Sequence, residues 1–123
     1  MAKTDQFSLV FDRLRQILAA YRERLVVVAD NETELYLDTH HIMKNSRPLY
    51  FGSTIIKKNY VSFHLMPVYL HPEMLDDISD ALRKRMQGKS CFNFKKIDEE
   101  LFAELAELTR CGLELYQADG YIV

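Results

Sequence analysis

The chain has 123 residues, 48% hydrophobic and 28% charged, with four glycines and three prolines. That composition excludes disordered, collagen-like and low-complexity architectures, and the length fits one domain over 1–123 with its own core. Lys and Arg total 16 against 18 Asp and Glu, a net charge of −2, which argues against a nucleic-acid binder that needs a basic excess.

Phe7, Val10, Phe11, Leu14, Ile17, Leu18 and Tyr21 recur at three-and-four spacing. They predict an amphipathic first helix, with Thr4 or Asp5 as its N-cap. The period then falls to two. Leu25–Ala29 and Thr33–Asp38 read as the arms of a hairpin around Asp30-Asn31-Glu32, with Leu35 and Leu37 on one side and Glu34, Tyr36 and Asp38 on the other. Thr39–Pro48 is polar and aperiodic, and reads as the longest loop. Leu49–Ile56 is a strand with Gly52 as a bulge position, and Lys57-Lys58-Asn59 turns the chain.

Tyr60–Met66 has the clearest alternation. Val61, Phe63 and Leu65 point one way, and Tyr60, Ser62, His64 and Met66 the other. Pro67 is expected to end this strand. A second helix is expected from Pro72 to Gly88, with Met74, Leu75, Ile78 and Leu82 as its stripe and its acidic residues ahead of its basic ones. Cys91–Phe94 is a short strand. Asp98 then caps a third helix with Leu101, Phe102, Leu105, Leu108 and Leu115 inward, which Gly112 should weaken or end. Short connections make the neighbours antiparallel. The expected fold is α+β, in the order α-β-β-β-β-α-β-α: a sheet of about five strands with helices on one face. Its expected core comprises Phe11, Leu14, Leu18, Val61, Phe63, Leu65, Ile78, Leu82, Phe92, Leu101 and Leu105.

Cys91 and Cys111 stand 20 residues apart and outside any C-x-x-C pair, and no apolar leader follows Met1. Free thiols and a cytoplasmic location are expected. The longest apolar run, Leu25–Ala29, is far short of a membrane span.

Three stretches carry a family resemblance. They are Lys58-Asn59-Tyr60-Val61-Ser62-Phe63, the exit Met66-Pro67-Val68-Tyr69, and Gly88-Lys89-Ser90-Cys91-Phe92-Asn93-Phe94 ahead of a capped helix. In this order, behind an amphipathic helix, they resemble the YdhG-like domains of bacteria, over roughly Phe7 to Tyr116. The resemblance implies an antiparallel α+β fold similar to frataxin. It also implies, as an alternative function, intracellular iron binding or iron chaperoning. The first helix itself sets Asp12 and Glu23 against Arg13, Arg15, Arg22 and Arg24. An acidic ridge for a hard cation is missing there, so the residues predict neither tight iron nor structural zinc.

Other candidates are weak. Gly88-Lys89-Ser90 lacks the upstream glycine of a phosphate loop, since position 83 is Arg. Adjacent His40 and His41 cannot readily share one metal. Glu100, Glu104 and Glu107 fall on one helical face and read as solvated. Lys89, Lys95 and Lys96 are near enough in sequence to lower the pKa of Cys91, but its place in a short strand argues for packing instead. The least ordinary feature is the strand face of Tyr60, Ser62 and His64, joined by Tyr50 and edged by Lys89. A sheet covered on one side leaves the other open, and aromatic, hydroxyl and imidazole groups together suit a planar ligand or a protein partner. The residues assign no catalytic set, no cofactor and no metal ligands. The expected role is a non-catalytic small-ligand or protein-binding module. A homodimer through the same face and an enzyme using His64 are the alternatives, with neither a nucleic acid nor a membrane as partner.

Overall fold

The computed structural model describes residues 2–122, with side chains from residue 6 onward. Helix α1 (Ala2–Ala19) leads through a 3-10 turn (Arg22–Arg24) into strands β1 (Val26–Asp30), β2 (Glu34–Ile42), β3 (Pro48–Ile56) and β4 (Val61–Leu65). Helix α2 (Met66–Leu70), a 3-10 turn (Pro72–Leu75) and helix α3 (Asp80–Arg83) follow. Strands β5 (Met86–Gln87) and β6 (Cys91–Phe94) then precede helix α4 (Glu99–Ala118). The expected capping residues Thr4 and Asp5 lie outside the residues whose side chains are described.

All six strands form one sheet in the order β1-β2-β3-β4-β6-β5, with every pairing antiparallel. The α+β class and the one-sided helical cover are as expected; the strand count is one higher, because Met86–Gln87 pairs with β6. Gly88 (φ 77) therefore turns a strand pair rather than ending a helix. The alternation in β4 reads correctly: Val61, Phe63 and Leu65 are fully buried beneath the helices. Ten of the eleven expected core residues are buried, Ile78 alone being half-buried. Each such side chain contributes about 1.5–3 kcal/mol through removal of apolar surface from water.

Two segments depart from the sequence reading. The polar stretch after Asp38 continues β2 to Ile42, so the loop shrinks to 43–47. Thr39 can be buried there because its hydroxyl donates to the Leu49 carbonyl at 2.9 Å. The Met43 N–H bonds the Arg47 carbonyl, and Ser46 adopts φ 67. The expected long second helix from Pro72 to Gly88 is instead a 3-10 turn, the short helix α3 and strand β5, with α2 added ahead of it. Pro67 opens α2 at its first turn. His71, preceding Pro72, is pushed out of the helical region (φ −127, ψ 71). Ser79 is extended and caps α3 by accepting the Leu82 N–H at 3.1 Å. The graded charges from Glu73 to Arg85 thus never share a helix.

Gly112 does not end α4. A Cβ there would lie 2.9 Å from Pro67 Cβ, so the missing side chain lets α2 seat against the helix. Gly52 is as constrained. Phe51 is the extra residue where the β2–β3 register shifts. A Cβ on Gly52 would meet the His64 carbonyl at 2.8 Å and Leu18 Cδ2 at 3.2 Å. Gly52→Ala should therefore cost about 1–3 kcal/mol by overpacking, read as a lower urea midpoint at unchanged slope. An unchanged midpoint would mean that α1 and β4 yield freely at this point.

Candidate functional site

Strand register builds the open face. Tyr36 pairs with Ser53, Ser53 with His64, and His64 with Cys91, so these four side chains cross the sheet in one row. Ile55, Ser62 and Asn93 form the next row, and Asp38 opposite Tyr50 a third. Alternation places all of them away from the helices.

The rings of Tyr36 and Tyr50 stack with centroids 4.7 Å apart, and the Tyr50 ring lies 6.4 Å from that of His64. The Tyr50 and Ser53 hydroxyls share a hydrogen bond. Ser53 and Ser62 are nearly fully covered by larger neighbours, at 2% and 3% exposure. Ser62 therefore lies within the face rather than on its surface, and its hydroxyl donates to the Ile55 carbonyl at 3.5 Å. What solvent meets is a row of aromatic and thiol groups over a hydroxyl layer.

Burial governs the electrostatics. It raises the Tyr50 phenol well above its ordinary range, and raises Tyr36 too, with Asp38 and Glu34 adding to the effect. It lowers the His64 imidazole below 6.5, helped by the Lys57 ammonium. It raises the Cys91 thiol, against a smaller opposing pull from Lys57. Packing, rather than activation by Lys89, Lys95 or Lys96, describes Cys91: desolvation outweighs the one opposing cation, Lys57, and the thiol donates to Asn93 Oδ1 at 3.4 Å. The His64 ring makes no hydrogen bond among the described residues, and no carboxylate orients it as a general base requires.

Of the sequence-predicted site residues, Tyr50, Ser62 and His64 come together. Tyr60 sits in the β3–β4 turn, where its carbonyl accepts the Lys57 N–H. Lys89 does not edge this face. Its ammonium lies 5.7 Å from the Tyr69 ring, in a separate cleft of about 670 Å³ with Val68, Leu75 and Arg83. Tyr36, Ser53, Cys91 and Lys57 were missing from the predicted set. Tyr36 was within reach, since it shares the phase of Glu34 and Asp38 in the hairpin; its stacking on Tyr50 follows only from register. His40 and His41 do not converge: His40 is exposed, and His41 packs its ring 4.7 Å from Tyr121.

The helical side holds a second feature, a groove of about 620 Å³ between the Pro72–Leu75 turn with its continuation to Ile78 and helix α4. Among the described residues no three His, Cys, Asp or Glu side chains are placed to hold a metal ion. No helix among them is long and apolar enough to cross a membrane. No protein-family model, curated protein or solved structure matches the chain.

Two histidines give opposite pH signatures. The folded-state pKa of His64 is lowered, so the unfolded chain takes up the proton first as pH falls through about 6.5, and stability declines until the folded pKa is passed. The pKa of His71 is raised, chiefly by its 2.7 Å hydrogen bond to Asp119. Its contribution is complete below the unfolded value and is lost as pH rises through the folded one. His64→Asn should flatten the stability loss between neutral and mildly acidic pH, and His71→Ala should steepen it. Urea midpoints across that range test both, and parallel profiles for all three proteins would refute the assignment.

Proposed function

We propose that the protein is a non-catalytic binding module that takes a planar aromatic ligand on the open face of its sheet. The observation that carries this is the ring cluster centred on Tyr50, which stacks on Tyr36 at 4.7 Å and lies tilted to His64 at 6.4 Å. Tyrosine offers large contact area at low entropic cost, and ring faces favour offset stacking with another flat π-system. The depressed His64 pKa keeps its imidazole neutral near pH 7, able to donate one hydrogen bond and accept another. Five well-formed clefts among the described residues are lined by none of Tyr36, Tyr50, Ser53, Ser62 and His64. A flat face of this kind suits recognition better than chemistry, which calls for an enclosed site with an oriented base.

Charge placement favours this reading over the iron-handling one that a YdhG-like assignment would bring. The arginines of α1 face carboxylates of other elements: Arg13 pairs with Glu99, and Arg15 holds Asp30 at 2.8 Å. Helix α1 thus presents paired basic groups where an iron surface would need converging acids.

Thermal shift with planar heteroaromatic probes (flavin, purine nucleosides and porphyrin) tests the proposal, beside sedimentation. A ligand at 100 times its dissociation constant should stabilise the fold by about 2.7 kcal/mol. We expect a stabilising probe in this class, and loss of its effect in Tyr36→Ala/His64→Ala protein that keeps its fold. If no probe stabilises the wild type, or the double variant responds equally, the face is not the site. If the wild type sediments as a dimer that the variant splits, the face is instead a subunit interface.

A further inference from the structure

The groove against α4 is unlike the sheet face in every physical respect. Met74 and Ile78 from one wall and Leu108 and Leu115 from the other give it an apolar floor. Five carboxylates line it: Glu73, Asp77, Glu104, Glu107 and Glu114, with no Lys or Arg among the lining residues. The whole chain carries only −2, so this is a local concentration of charge rather than bulk acidity. Arg110 pairs with Glu107 and Glu114 and His71 with Glu73, which offsets part of it and leaves Asp77 and Glu104 without a cationic partner among the described residues. The Glu107 carboxyl is held below its ordinary pKa, first by its hydrogen bond to Arg110, and so stays ionised.

Both ends of the groove are tied. At one end Glu104 accepts the backbone N–H and the hydroxyl of Ser79, each at 2.6 Å. At the other, His71 meets Asp119 at 2.7 Å, and Gly112 brings Pro67 against α4. The walls between are fixed apart before any ligand arrives, which lowers the ordering cost of binding.

We propose that this groove docks an amphipathic, cationic helix of a partner protein, with its apolar side chains on the floor and its Lys and Arg side chains against the rim. Length selects a helix over a small cation. The groove follows α4 from Glu104 to Leu115, about 16 Å at the helical rise, or about three turns. Apolar anchors at i, i+4, i+7 and i+11 of a docked helix span that distance, in the manner of helix-in-groove complexes. Carboxylates strung along the whole length require cations at matching intervals, which one helix supplies and a compact cation does not. A flexible methionine in the wall suits a surface that adapts to such anchors. The site is on the far side of the molecule from the Tyr36–Tyr50–His64 row, and the inference does not rest on that row.

Cys111 lines the groove and Cys91 lies on the sheet face, so the two thiols report on the two surfaces separately. The probe is a synthetic Leu/Lys amphipathic helix of about four turns, with a Leu/Glu counterpart and spermine as comparison arms. Alkylation of wild-type protein at mildly alkaline pH, mapped by mass spectrometry, should show Cys111 protected by the Leu/Lys helix and Cys91 unaffected. Anisotropy titration should show affinity falling as salt rises. It should fall about tenfold in Asp77→Lys/Glu114→Lys protein. Glu100→Lys, on the same helix outside the groove, and Tyr36→Ala/His64→Ala should bind as the wild type does.

Unprotected Cys111 at saturating Leu/Lys helix overturns the proposal even if the charge-reversed variant misfolds. So does equal affinity for the Leu/Glu helix. Protection by spermine alone would replace the helix with a small cation. Protection that grows with protein concentration and no peptide would replace it with a second copy of the chain.

Discussion

The pairing of β3 with β4 is the constraint on which everything else depends. In the observed register Thr54 faces Phe63 toward the helices and Ser53 faces His64 away from them. A slip of one residue would exchange the two sets, placing imidazole and hydroxyl in the core and Phe63 in water. Burial of Val61, Phe63 and Leu65 fixes the register on one side. On the core side Thr54 adds a 2.8 Å hydrogen bond to the Ser62 carbonyl, so its buried hydroxyl is satisfied rather than costly. The open face is therefore a by-product of the core: its row of side chains is aligned by the same pairs that place the phenylalanines.

That dependence explains which features were legible in the sequence. The phase of Tyr60–Met66 and of Glu34–Asp38 is local, so the inward and outward sets could be read from alternation alone. Asp98 as a helix cap is equally local: its carboxylate accepts the Leu101 N–H at 3.1 Å. Cross-strand neighbours are not local. Tyr36 joins Tyr50 only through a register that includes a bulge at Phe51, and Lys89 leaves the face because its turn projects toward Tyr69. The broken second helix was hidden for a related reason. Ser79 is a moderate helix residue by propensity, but Glu104, 25 positions on, takes both its N–H and its hydroxyl and makes the extended conformation the better one. Gly112 gave the opposite error, because propensity counts its entropic cost and cannot see Pro67 packed where a Cβ would be.

The groove is a consequence of that same break. A continuous helix from Pro72 to Gly88 would have carried Glu73 and Asp77 on its own exposed turns, away from α4 or beside it as packing allowed. Begun as a 3-10 turn after His71 and interrupted at Ser79, the segment instead lies along α4 and lends it Met74 and Ile78 as a wall. The acidic rim thus draws on two elements far apart in sequence, and neither shows an unusual cluster when read alone. Of the Glu100, Glu104 and Glu107 face read as solvated, Glu100 and Glu107 are exposed as expected and Glu104 is half-buried against Ser79; Glu104 and Glu107 border the groove and Glu100 lies outside its lining.

Charge distribution follows from how the ion pairs are spent. Exposed pairs such as Arg13–Glu99 contribute little stability, about 0–1 kcal/mol, yet they determine where net charge is left. The pairs to Glu99 and Asp30 set the arginines of α1 against acids on α4 and β1. Arg110 is shared between two glutamates. These two glutamates, Glu73 beside His71, and Asp77 and Glu104 gather where α4 meets the 72–78 segment, above an apolar floor. Field from such a rim is stronger than the same charges would produce on a convex helix, because low-dielectric walls focus it. The sheet face concentrates less charge: beside its rings, hydroxyls and thiol it carries Asp38 and Glu34, with the Lys57 ammonium acting on His64. The two surfaces proposed for recognition therefore differ in physics: one rests on ring contact, the other on charge along an apolar groove.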